Sequence, residues 1–241
     1  MRVLKLLSGV GSTVAVAAAV LALNPLVAGA AGPGTATSNL TNVSSGYVAD
    51  STGNAEATSN AEFTVTPGTL SLNQVPNIML GTVSVKDIAT ANTTVPVTSG
   101  APTSGTAYDG NNTGTLNVTD FRGNNAGWSL SVGLSPFTSG KSTITNATLN
   151  LNQTPGTLDN SATAAPSSLK LTQSAVTNGW ISSPQTLWNA SAETGEGNNS
   201  ATTATSSNLL VDQQPTIVAG TYDATLYWAL QNAPATTTPA Q

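Results

Sequence analysis

The chain of 241 residues contains no cysteine and no histidine. Without cysteine there is no disulfide and no thiolate, and without histidine there is no imidazole. Ser-His-Asp and Cys-His nucleophile systems and every thiolate or imidazole metal site are therefore excluded. Charge is scarce as well: six Lys and Arg stand against eleven Asp and Glu, and charged residues make up 7% of the chain. No basic stripe is available to neutralise phosphates, so nucleic acid is not an expected partner, and anionic polymers would be repelled. Hydrolysis by two carboxylates needs only a pair of acids at a set distance. The eleven acids are scattered and select no such pair, so no catalytic residue, metal or cofactor is assigned and the chain is read as non-enzymatic.

The ends differ from the middle. Arg2 and Lys5 precede the uncharged run "LLSGVGSTVAVAAAVLAL", and Ala28 and Ala30 in "VAGA" fit a small-x-small cleavage site. This order predicts a secretory signal peptide over residues 1–30. The alternative is an uncleaved anchor, because the run approaches the roughly 20 residues that span a bilayer. Cleavage leaves four basic residues, a net charge of −7 and no membrane segment, in a secreted protein. Residues 31–60 are rich in Gly, Ser, Thr, Asn and Ala and read as a flexible leader, and 235–241 as a disordered tail. No LPxTG-type motif supports covalent linkage by sortase. The domain itself is placed at 61–234, long enough to form one core without disulfides.

Between these ends, apolar residues alternate with polar ones. The pairs Phe63/Val65, Leu70/Leu72, Val83/Val85, Leu116/Val118, Leu149/Leu151 and Leu169/Leu171, and the run Trp128, Leu130, Val132, Leu134, each give one apolar face to an extended segment. Gly, Pro, Asn, Asp and Ser clusters separate them. The predicted fold is all-β, a single sandwich or Greek-key barrel-like domain of about eight to ten strands, with long loops and at most short helices. "PQTLWNASA" (184–192) is the best helix candidate. "KDIATANTTVPVTSGAPTSGTAYDGNNTG" and "NASAETGEGNNSATTATSSN" read as long loops, the first with a short strand at "VPV", and binding surfaces favour such loops.

Two Trp-x-Leu segments stand out. In "GTYDATLYWAL", Tyr222, Ala224, Leu226, Trp228 and Leu230 share one face of an extended strand. Trp128 and Leu130 do the same in "GWSLSVGL". The spacing fits two pieces of a core, where each Trp would remove about 150–250 Å² from water, and the alternative is an exposed sugar-stacking platform. Trp180 in "NGWIS" and Trp188 in "TLWNA" lack strand partners two residues on and are candidate surface aromatics. Asp120 and Arg122 lie two apart before the turn-rich "RGNNAG" and read as an ion pair holding a connection. The alternative reading is that Asp120 contacts a sugar or cation. "DxxGNN" lacks the closing carboxylate of a calcium loop.

"LNVTDFRGNNAGWSLSV" followed far downstream by "AGTYDATLYWAL" resembles the paired motif of the WxL domain, a cell-surface module of low-GC Gram-positive bacteria. The resemblance runs from about Ala61 to Pro234 and includes "FTVTPGTLSL". It implies non-covalent attachment to the cell wall with peptidoglycan as the ligand, a cell-surface location, and complexes with other WxL-type and WxL-interacting proteins. A structural or adhesive subunit held at the surface by a partner protein is the alternative. The chain resembles the small members of the family rather than the large adhesins.

Overall fold

The computed structural model describes residues 59–98, 102, 105, 107–111 and 113–235. The predicted signal peptide, nearly all of the predicted leader and the predicted tail beyond Ala235 lie outside the described residues. The chain divides into two compact units, Met1–Val65 and Thr66–Gln241. In the first, residues 59–65 form no strand, and Phe63 and Val65 are 86% and 79% exposed. The expected strand at "FTVTP" is thus absent: two alternating apolar residues do not make a strand without a neighbour to pair with.

The second unit is built from antiparallel sheets. In the first sheet, β1 (Leu70–Gln74) pairs with β3 (Thr115–Asp120), β3 with β13 (Gly197–Thr203), and β13 with β8 (Gln153–Leu158). The second places β4 (Trp128–Leu134) between β12 (Gln185–Ala190) and β15 (Leu226–Gln231). The third runs β2 (Thr93–Pro96), β14 (Asn208–Val211), β7 (Ala147–Leu151), β9 (Leu169–Thr172). Two short hairpins complete it: β5 (Thr138–Ser139) with β6 (Ser142–Thr143), and β10 (Val176–Thr177) with β11 (Trp180–Ile181). The architecture is an all-β sandwich with no closed barrel. The alternation read from the sequence places the core: Leu116 and Val118 of β3, Leu149 and Leu151 of β7 and Leu171 of β9 are buried together with Trp128, Leu130, Val132 and Leu134.

Three further segments depart from the sequence reading. The first is the stretch taken as a helix, "PQTLWNASA", most of which forms β12. A register shift between Thr186 and Trp188 lets the adjacent Leu187 and Trp188 both reach full burial, and such a bulge erases the alternation that marks a strand. The second is the Gly197–Thr203 part of the supposed long loop, which is β13, paired on both sides. Its inward residues are Asn199 and Ala201, both 0% exposed. The Asn199 carboxamide is held by donating to the Gly195 and Gly197 carbonyls at 2.8 and 3.3 Å. The third is "TVSV", where Val85 starts the helix α1 (Val85–Thr90) instead of a strand. Ser84 caps it: its Oγ accepts from the Asp87 N–H at 3.1 Å and donates to Asp87 Oδ2 at 2.6 Å. The expected short strand at "VPV" is found as β2, beginning slightly earlier.

Candidate functional site

The two Trp-x-Leu segments are neighbours in one sheet. β15 pairs with β4 so that Leu230 stands opposite Leu130 and Trp228 opposite Val132, while on the other side of β4 Trp188 stands opposite Leu130 and Ala190 opposite Trp128. Directly opposed residues share a face. Trp128, Leu130, Trp188, Trp228 and Leu230 therefore project to the same side, into the core. Trp128 and Trp188 meet edge to face, with ring centroids 5.3 Å apart and planes at 73°. Their indole N–H groups are not stranded: Trp128 Nε1 donates to the Gly195 carbonyl at 3.0 Å and Trp188 Nε1 to the Ala164 carbonyl at 2.7 Å. Gly195 makes the first of these possible. It lies at φ +88°, and a Cβ on it would fall 2.5 Å from Trp128 Nε1.

Trp188 is thus 0% exposed and not the surface aromatic expected from its sequence context. The bulge that hid β12 also hid its burial. Trp228 and Leu230 are only half-buried because β15 is the outer strand of its sheet. Tyr222 and Ala224 pack against the core ahead of the regular strand, and the Tyr222 hydroxyl donates to the Val218 carbonyl at 2.9 Å.

Asp120 and Arg122 tie the two segments together. Arg122 engages the carboxylate in two places, Nε to Oδ1 at 2.9 Å and Nη2 to Oδ2 at 2.7 Å, and its backbone N–H adds a bond to Oδ1 at 3.1 Å. The remaining guanidinium donors reach the Gly127 carbonyl at 2.7 Å and the Asn232 carbonyl at 3.0 Å. Gly127 immediately precedes Trp128, and Asn232 follows the end of β15. One guanidinium therefore joins the start of the first segment to the end of the second. Its hydrogen bonds hold the Asp120 carboxyl below its ordinary pKa, against the opposing effect of burial, and Asp120 in turn raises that of Arg122.

The opposite face of the same sheet is different in character. Ser129, Ser131 and Gly133 of β4 point there, with Asn189 and Thr186 of β12 and Tyr227, Ala229 and Gln231 of β15 in register beside them. At one end the chain after β15 crosses this face: Ser129 Oγ donates to the Ala233 carbonyl at 2.9 Å and Asn189 Oδ1 accepts from the Ala235 N–H at 2.7 Å. At the other end the β10–β11 hairpin, turning at Asn178 (φ +54°) and Gly179 (φ +77°), lowers Ile181 onto Gly133. A Cβ at Gly133 would lie 2.7 Å from Ile181 Cγ2. Gly133→Val is expected to cost about 1–3 kcal/mol by overpacking and to lift the hairpin, read as a lower thermal midpoint with altered Trp180 emission. Trp180 stays 45% exposed, its ring edge-on to Tyr227 with centroids 5.4 Å apart and planes at 79°.

Two further acids serve the scaffold. In the shallow cleft formed by Asp159, Asn160, Ser161, Glu196 and Gly197, Asp159 Oδ2 accepts from the Asn198 N–H at 2.8 Å and Glu196 Oε2 from Asn160 Nδ2 at 2.6 Å.

These observations define an all-β module in which paired Trp-x-Leu strands build the interior and one Asp-Arg pair joins their ends. The family model described as "WxL domain surface cell wall-binding" matches residues 48–234, and the chain belongs to the WxL domain family. No curated protein and no solved structure matches it. Membership makes this a cell-surface, cell wall-binding domain of a family that is not one of enzymes. Among the described residues, no helix is long and apolar enough to cross a membrane.

Proposed function

We infer that the protein attaches without covalent bonds, and without catalysis, to the peptidoglycan of the wall by contacts with uncharged groups. The observation that carries this is the fate of its cations. Beyond residue 30 the chain has four, Lys86, Arg122, Lys141 and Lys170. Arg122 is consumed by Asp120 and two carbonyls, and the lysines are dispersed over α1, the β5–β6 turn and β9. Such a surface does not gather anionic wall polymers, whose capture needs clustered positive charge. Peptidoglycan offers neutral sugar rings and amides to the hydroxyl and carboxamide side chains that dominate here. The purified protein is expected to sediment with peptidoglycan stripped of anionic polymers, with little loss as salt is raised, because screening acts on charge pairs. Failure to sediment with stripped walls sinks direct binding.

The free edge of β15 favours a second reading. Its backbone pairs only with β4 among the described residues, and Leu226, Trp228 and Leu230 are half-buried along it. An unpaired strand edge can accept a strand from another protein. In this reading the protein is a structural or adhesive subunit of a complex with other WxL-type and WxL-interacting proteins. Cross-linking on intact cells, and loss of surface display when the cross-linked partner is deleted, supports docking; undiminished display with retained sedimentation supports the wall itself.

A further inference from the structure

We propose that the second face of the motif sheet is a glycan subsite: a shallow polar trough floored by Ser131, Thr186 and Ala229, on which a neutral pyranose ring stacks against Trp180. The proposal rests on the peptidoglycan reading above and gives it a location.

The register defines the trough. Thr186, Ser131 and Ala229 form one cross-strand row, and they carry only small side chains. On one side lies the row of Asn189, Ser129 and Gln231, where the chain at Ala233–Ala235 bonds to Ser129 and Asn189 while Gln231 stays exposed. On the other side lies the row of Gly133 and Tyr227, over which Ile181 and Trp180 sit. Rows on one face are about 7 Å apart, so the uncovered row is a slot bounded by backbone at one end and by aromatic rings at the other. Ser131 is the partly exposed residue of an otherwise buried strand, and Thr186 beside it is exposed.

The chemistry of the slot selects its occupant. None of these residues carries a formal charge, so neither a phosphate nor an ammonium group finds a partner there. The Ser131 and Thr186 hydroxyls can both donate and accept, which suits sugar hydroxyls. Trp180 offers an indole face whose orientation is fixed from three sides: a two-residue turn, the anchor of Ile181 on Gly133, and the edge contact with Tyr227. Holding the ring in advance removes ordering cost on binding. The contrast with Trp128 and Trp188, both fully buried, isolates Trp180 as the indole left to the outside by the same fold.

The test uses stripped peptidoglycan in sedimentation and chito-oligosaccharides, soluble chains of N-acetylglucosamine, in titrations of tryptophan emission. Trp180→Ala is expected to weaken both interactions about tenfold with an unchanged thermal melt, Trp180→Phe to retain most of the binding, and the emission shift to vanish in Trp180→Phe. Thr186→Arg, on the exposed floor, is expected to block the slot and weaken binding to a similar degree. If wild-type protein sediments and both Trp180→Ala and Thr186→Arg sediment equally well, the subsite is overturned while wall binding stands. If the wild-type protein itself fails to sediment, both readings fall together.

Discussion

Replacing Trp128 by Ala is expected to remove about 3–5 kcal/mol of stability, the range for truncating a buried aromatic, out of a total of about 5–15 kcal/mol for a domain. Trp128 is 0% exposed and lies among the inward side chains of β4 and β12: it shares that face with Leu130, stands opposite Ala190 and meets Trp188 edge to face. Truncation leaves a void against the inner face of β4 and β12 and removes the aromatic contact, itself worth about 0.5–1.5 kcal/mol. The Gly195 carbonyl is not orphaned, because Asn199 Nδ2 also donates to it at 2.8 Å. The loss is therefore one of packing rather than of a hydrogen bond. Trp228→Ala is expected to cost less, roughly 1–3 kcal/mol, since that ring lies half-buried on an outer strand. Urea unfolding checks both: a fall in midpoint at constant slope, larger for Trp128 than for Trp228. Equal losses would show that the two motif tryptophans are interchangeable core residues, contrary to their positions.

The unequal standing of the two tryptophans was not visible in the sequence, where "GWSL" and "YWAL" look alike. What alternation reports is which residues share a face, and for Leu116/Val118, Leu149/Leu151 and the run from Trp128 to Leu134 that was enough to locate the interior. It does not report which strand ends at an edge, because edges are set by pairing across the chain. Hydrophobic pattern also fails where burial is achieved by other means. β13 is central yet carries only Asn199 and Ala201 inward, and its place is secured by backbone pairing on both sides. β12 buries Leu187 and Trp188 in succession through a bulge, so Trp188 lost the periodic context that would have marked it. At "TVSV" the relevant signal was Ser84 with Asp87 three residues later, a helix start that the apolar pair Val83/Val85 masked. The trough is the least legible feature. Ser131, Thr186 and Ala229 are unremarkable residue types far apart in the chain, and only the register of β12, β4 and β15 sets them side by side.

Asp120→Ala is expected to destabilise the protein by about 2–4 kcal/mol, because it leaves a largely covered guanidinium without its counter-charge. Asp120 is 4% exposed and the Arg122 side chain 15%. The consequence reaches beyond the pair: Arg122 links Gly127 to Asn232, so its release loosens the entry to β4 and the exit from β15 together. Arg122→Lys keeps the charge but not the planar fork that reaches the carboxylate and two carbonyls at once, and is expected to cost about 1–2 kcal/mol. The pH dependence has a definite sign. Hydrogen bonds from Arg122 lower the folded-state pKa of Asp120 below its unfolded value of about 3.9. The pair's contribution is therefore fully present above that value and is lost as pH falls through the lower folded-state value. The raised pKa of Arg122 gives a contribution complete at every pH below about 12, so it adds no dependence in acid or at neutrality. In urea unfolding across pH, wild type and Asp120→Asn should differ at neutral pH and converge as the solution becomes strongly acidic. A difference that persists unchanged in strong acid would mean that Asp120 acts through packing and not through its charge on Arg122.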